Sequence, residues 1–143
     1  MAVKRVSPEE ALALVRDQGF VYLDVRSVPE FHQGHPTGAY NVPIVHMGPT
    51  GGQANPDFLP VIERAFPKDA GIVLGCRTCN RSDHAAALLG RAGYTNLAVQ
   101  RAGFGGSRDA FGRLEPGWAQ QGLPVSQLAE PGRSWEELKA GKP

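Results

Sequence analysis

The chain has 143 residues, a formal charge of +1 from 15 Lys and Arg against 14 Asp and Glu, 41% hydrophobic residues, 18 Gly and 12 Pro. That length and apolar share suit one globular domain that buries its own core, and exclude a disordered chain. The near-neutral balance excludes nucleic-acid binding through a broad basic face, no apolar run approaches the roughly 20 residues of a membrane span, and two cysteines three apart exclude a secreted disulfide scaffold. The opening MAVKRVSPEE has no apolar signal segment, so the expected location is the cytoplasm.

Ser7-Pro8-Glu9-Glu10 opens a helix: Ser7 caps, Pro8 suits the first helical position and Glu10 completes a capping box. Ala11, Leu14 and Val15 follow at helical spacing, and Gly19 ends the helix. Phe20 to Val25 is nearly continuous in apolar residues, as buried parallel strands are. A long loop through Gly34, His35, Pro36 and Gly38 leads to a short strand over 39–44, and the punctuators of 46–56 make a surface loop. A short helix is expected over 57–66, then a strand over 70–75 that runs directly into Cys76. Ser82 opens a helix with Ala85, Leu88, Leu89 and Ala92 on one face, stopped at Gly93. Another strand covers 94–99, residues 101–117 are Gly-rich and irregular, and Trp118 to Gln121 reads as a short helix ended by Gly122. Ser134-Trp135-Glu136-Glu137 is a second capping box opening a last short helix. Strands alternating with helices predict one α/β domain over 1–143, with a mostly parallel central sheet of about five strands and helices on both faces.

The segment Cys76-Arg77-Thr78-Cys79-Asn80-Arg81-Ser82 carries the chemistry. A cysteine at the carboxyl end of a central parallel strand lies where open α/β sheets bind ligands. The loop after it ends at a helix N-terminus, whose unpaired N–H groups favour an anion, and Arg77 and Arg81 add positive charge. Both effects favour the thiolate, the nucleophilic form of the side chain. A cysteine after a strand is also met as a small buried hydrophobe, and on these residues alone both readings stand. Cys76, Cys79 and His84 crowd one tight loop without a fourth ligand, so no metal is expected there.

Beyond that local reading, Asp24-Val25-Arg26 through Glu30-Phe31, Gly34-His35, Gly38-Ala39, Asn41 and Pro43 fill a D-x-R-x-x-x-E-aromatic-x-x-G-H-x-x-G-A-x-N-x-P pattern. This resembles the first signature of the rhodanese-homology, or sulfurtransferase, domains. Cys76, Arg81 and Ser82 resemble the second, C-x-x-G-x-R-S, with Cys79 where glycine is usual. Gly93-Tyr94-Thr95-Asn96, Trp118 and Gly122-Leu123-Pro124-Val125 resemble further family landmarks, so the likeness covers roughly 5–125 and leaves 126–143 as an extension. The stretch from Gly103 to Trp118 is longer than the common G-G-x-x-x-W and resembles a subgroup with an insertion there, which also carries the N-P-x-F of Asn55 to Phe58.

The resemblance implies a single rhodanese-like domain that moves sulfane sulfur from thiosulfate or a related small anionic donor to a thiophilic acceptor, such as cyanide or a protein thiol. It implies a Cys76 persulfide and no cofactor. The N–H groups of Arg77, Thr78, Cys79, Asn80, Arg81 and Ser82 would cradle the persulfide, with Arg77 attracting the donor. Arg81 would close the loop as a clamp on Glu30 or Asp24, while Asp24 and Arg26 form an internal ion pair. His35 would brace its loop by a hydrogen bond, and His84 would face solvent. Arg101 and Arg108 either extend a positive rim around Cys76 or belong to a solvated loop. The related dual-specificity phosphatases resemble C-x5-R, whereas Cys76 and Arg81 are separated by four residues, which favours a sulfur-sized substrate. Two other readings are carried: a catalytically silent binding or regulatory module, and a Cys76/Cys79 thiol-redox protein in which Cys79 resolves the persulfide. No nucleic-acid or membrane partner is expected.

Overall fold

The structure is a computed structural model that describes residues 3–49, 51–77, 80–108 and 111–141. The first half of the chain forms β1 (Lys4–Val6), α1 (Pro8–Gln18), β2 (Val21–Asp24), α2 (Val28–Gln33), β3 (His35–Pro36), β4 (Tyr40–Asn41), β5 (Val45–Gly48), β6 (Gly51–Ala54) and α3 (Phe58–Ala65). The second half forms β7 (Ile72–Gly75), α4 (Asn80–Arg91), β8 (Leu97–Gln100), β9 (Ser107–Arg108), β10 (Leu114–Glu115), β11 (Val125–Ser126) and α5 (Trp135–Ala140). Five of the strands make one parallel sheet in the order β1-β8-β7-β2-β4, with β7 in the centre. Among the described residues, no helix is long and apolar enough to cross a membrane.

Side chains alternate across the sheet, and this alternation sorts the core into two layers. Leu23 and Val25, Ile72 and Leu74, and Leu97 and Val99 face α3, α4 and α5, whose Ile62, Leu89 and Leu138 complete that layer. Tyr22, Val73 and Ala98 face the other way, toward Ala11 of α1, Phe31 of α2 and Trp118. Cys76 follows Ile72 and Leu74 in the period of two and belongs to the α4 layer. The helix faces expected from the sequence are therefore both occupied.

The capping box of α1 forms as expected, with Ser7 Oγ accepting from Glu10 N–H at 3.1 Å and Glu10 Oε1 accepting from Ser7 N–H at 2.8 Å. Gly19 ends α1 in the left-handed region at φ 73°.

Elsewhere the structure corrects the expectation. The long loop after β2 contains α2, opened by Ser27 and Glu30, which is the same signal as at Ser7. The expected surface loop at 46–56 is largely an antiparallel hairpin, β5 against β6. The strand expected over 39–44 is only two residues long, because Pro43 has no N–H to continue a ladder. Helix α4 begins at Asn80, two residues before Ser82. Residues 118–122 form a turn, closed by Gln121 N–H to Gly117 O at 3.0 Å, and are too short for a helix. The short strands β1 and β11 carry no pattern of their own, and pairing with β8 and β3 makes them strands.

Candidate active site

Cys76 follows the last residue of central strand β7 and is 2% exposed. Its Sγ accepts a hydrogen bond from Ser82 N–H at 3.4 Å, and Ser82 Oγ also lies 3.4 Å away. Ser82 sits in the first turn of α4, so the free N–H end of that helix is turned toward the sulfur and favours negative charge there. Helix α4 starts before Ser82, and the serine hydroxyl faces Cys76.

Glu30 holds the other end of the loop. Its carboxylate takes both Arg81 Nη groups, at 2.7 and 2.9 Å, and also accepts from the Ser27 hydroxyl at 2.8 Å. Of the two carboxylates open to Arg81 in the sequence, the structure selects Glu30. One side chain thus caps α2 and clamps the start of α4 across 51 positions of sequence. Asp24 instead pairs with Arg26 at 2.7 Å, with side chains only 2% and 5% exposed, as expected. Arg26 also donates to Gly34 O at 2.6 Å and stacks 4.3 Å over the Phe104 ring.

Burial works against the Glu30 carboxylate, but hydrogen bonds from Arg81 and Ser27 outweigh it and hold its pKa at about 2. An unfolded glutamate titrates near ~4.3. The clamp's contribution to stability is therefore whole above that pH and is lost as the pH falls toward about 2. Urea midpoints of the wild type and Glu30→Gln should differ by a constant amount above about pH 5, then converge between about pH 4 and pH 2. A gap that persists unchanged to pH 2 contradicts this assignment.

The loop is also held from outside, by residues 103–105, which are not among the site residues expected from the sequence. Phe104 N–H donates to Cys76 O at 2.8 Å and Gly105 N–H to Arg77 O at 3.1 Å. Gly103, at φ 71°, lies so close that an added Cβ would run into the Arg77 carbonyl. The available signal was the Gly103-Phe104-Gly105-Gly106 run itself, since consecutive glycines after a strand mark close backbone approach. Because C=O and N–H are antiparallel in a trans peptide, tying Cys76 O to this segment turns the Arg77 N–H away from it.

Arg77 is exposed, and among the described residues no carboxylate pairs with it. It lines a groove of about 400 Å³ together with Arg26, Glu30, Gln33, Gly34, Phe104 and Gly105. Asn80 is exposed, while Thr78 and Cys79 lie outside the described residues. His84 is exposed, and His35 donates from Nδ1 to Phe31 O at 2.7 Å while stacking on the Phe31 ring. Arg101 pairs with Glu115 at 3.0 Å and Glu10 at 3.6 Å, and Arg108 donates to Gly112 O, so neither forms an uncommitted positive rim.

A family model described as Rhodanese-like domain matches residues 7–108. The chain is 40% identical over 107 residues to Thiosulfate sulfurtransferase 16, chloroplastic, of Arabidopsis thaliana, covering 75% of this chain and 80% of that protein. It is 37% identical over 101 residues to Thiosulfate sulfurtransferase GlpE of Pseudomonas fluorescens, covering 71% and 81% respectively. It spans 54% of the length of two further plant relatives. The solved structure of Rv0390 from M. tuberculosis superposes with a TM-score of 0.72 at 28% identity, covering 90% of this chain and all of that one. With the family model matching residues 7–108 and two relatives at 37–40% identity matched over about four-fifths of their length, this protein belongs to the rhodanese-like domain family.

Proposed function

We propose that this protein is a sulfurtransferase that carries sulfane sulfur on Cys76, with thiosulfate or a similar small anion as donor. The observation that carries this reading is the Cys76 sulfur itself, buried under the N-terminus of α4 and followed in the chain by Arg77, which lines a groove and pairs with no carboxylate among the described residues. In the first step the Cys76 thiolate attacks the outer sulfur of thiosulfate. The sulfur–sulfur bond of the donor breaks, its electron pair leaves with sulfite, and a Cys76 persulfide anion remains. In the second step a nucleophile, cyanide or a thiolate of a partner protein, takes the outer sulfur and returns the Cys76 thiolate. Charge and sulfur balance in both steps without a cofactor.

The chain's own groups supply positioning. Ser82 N–H and the α4 N-terminus stabilise the anionic sulfur, and Arg77 draws the dianion into the groove. Arg81, committed to Glu30, fixes the start of α4, whose Ser82 N–H reaches the sulfur. A reducing compartment such as the cytoplasm suits this chemistry, because it keeps Cys76 free to attack.

Intact mass after exposure to thiosulfate tests the proposal. The wild type is expected to gain one sulfur atom, and Cys76→Ser none. If the adduct instead accumulates only in Cys79→Ser, with a disulfide in the wild type, Cys79 resolves the persulfide by attacking Cys76 Sγ and expelling hydrosulfide. Absence of an adduct in every form, with thiosulfate and with polysulfide, overturns the sulfurtransferase and leaves a binding module.

A further inference from the structure

Gln100, the last residue of β8, is fully buried, yet it lies on the opposite face of the sheet from Cys76. It shares its side with Tyr22 and Gly75 by the period of two, and Gly75 is what lets them meet. A Cβ at Gly75 would overlap the Tyr22 hydroxyl, so only glycine at the last position of β7 allows Tyr22 to reach across the central strand. There Gln100 Nε2 donates to Tyr22 Oη at 3.4 Å and to Gly103 O at 2.8 Å. Its Oε1 accepts from Ala102 N–H at 2.8 Å and Gly103 N–H at 2.9 Å. Burial first, then the nearby Asp24 charge, push the Tyr22 phenol pKa upward, so its oxygen stays a neutral hydroxyl.

One amide thus closes the turn from Gln100 to Gly103, and the residues leaving that turn are the ones that hold the Cys76 and Arg77 carbonyls. We propose that Gln100 is a positioning residue for Cys76, setting from behind the sheet the segment that holds the Cys76 and Arg77 carbonyls. The proposal rests on the reading of Cys76 as the sulfur carrier, but its consequence is visible in the thiol alone. A loop whose N–H groups are misaimed stabilises the thiolate less, and the thiolate is the reactive form.

The experiment is alkylation of Cys76 by iodoacetamide across pH, followed site by site through peptide mass, with single-turnover sulfur loading measured alongside. Gln100→Leu leaves Ala102 N–H without its side-chain partner. It is expected to slow Cys76 alkylation at neutral pH about tenfold, to move the profile to higher pH and to slow loading in parallel. Leu14→Ala, in α1 and packed against the core layer that does not contain Cys76, is the control: it lowers the Tm but leaves the alkylation profile unchanged. Gln100→Glu keeps the two bonds accepted from Ala102 and Gly103, and its profile is expected between the others. Should the leucine variant fail to fold, the glutamate variant decides. Wild-type alkylation in a folded Gln100 variant overturns the proposal. An altered profile in a protein whose wild type takes up no sulfur retains the positioning role and removes the sulfurtransferase instead.

Discussion

Asp24→Ala is expected to lose about 3–5 kcal/mol of stability, the largest effect of any single substitution considered, because it leaves the Arg26 guanidinium buried without its counterion. The carboxylate accepts from Arg26 Nε, Nη2 and backbone N–H, at 2.7 to 3.2 Å, and both side chains are almost fully removed from solvent. Of what remains around Arg26, Gly34 O and the Phe104 ring carry no formal charge, and the nearby Glu30 carboxylate is already committed to Arg81. Urea denaturation reads the loss as a lower midpoint at unchanged slope. The double variant Asp24→Leu with Arg26→Met should recover much of it, since replacing a buried pair by apolar side chains is far less harmful than breaking one. A single variant within about 1 kcal/mol of the wild type would show that water reaches the pair and that the carboxylate does not anchor the loop after β2.

Gly103→Ala is expected to reduce sulfur loading of Cys76 by roughly 100-fold, the scale of a displacement of about 1 Å at a reacting group. Two effects add. A left-handed backbone at φ 71° costs a residue with a Cβ about 1 kcal/mol or more. The Cβ also meets backbone atoms of Cys76 and Arg77, which cannot rotate aside as a side chain can. Gly122→Ala separates the two: its φ is 74°, but nothing lies within 4 Å of the added carbon. It should show the strain as a modest drop in stability and load sulfur at the wild-type rate. Equal loading in both variants would mean that the 103–105 segment does not position the loop.

Local sequence signals suffice where one short stretch holds the whole cause. Ser7 and Glu10 satisfy each other three residues apart; at α5 the serine half of the expected box forms, with Ser134 accepting from Glu137 N–H, while the Glu137 carboxylate takes the Ser134 hydroxyl. The apolar run into Cys76 marked the central strand, because a strand covered on both faces has no polar side to show. The same logic was available at Ser27-Val28-Pro29-Glu30, and α2 was hidden only by the glycines and prolines that follow it. The hairpin of β5 and β6 was less accessible, since its arms are as rich in glycine as a loop and become strands only by pairing.

The sequence by itself determined the α/β class, the starts of α1 and α5, the cysteine at a strand end before a helix, and the set of charged residues around it. Each of these depends on neighbours within a turn or a strand, where chain connectivity already fixes the distances. Only the tertiary structure decided that Arg81 takes Glu30 rather than Asp24, that Gly103 lies against the Arg77 carbonyl, and that Gln100 meets Tyr22 across Gly75. Those partners are brought together by the order of strands in the sheet and by the parity of each residue along its strand. Both are settled by how the two core layers pack, and no short window of sequence contains them.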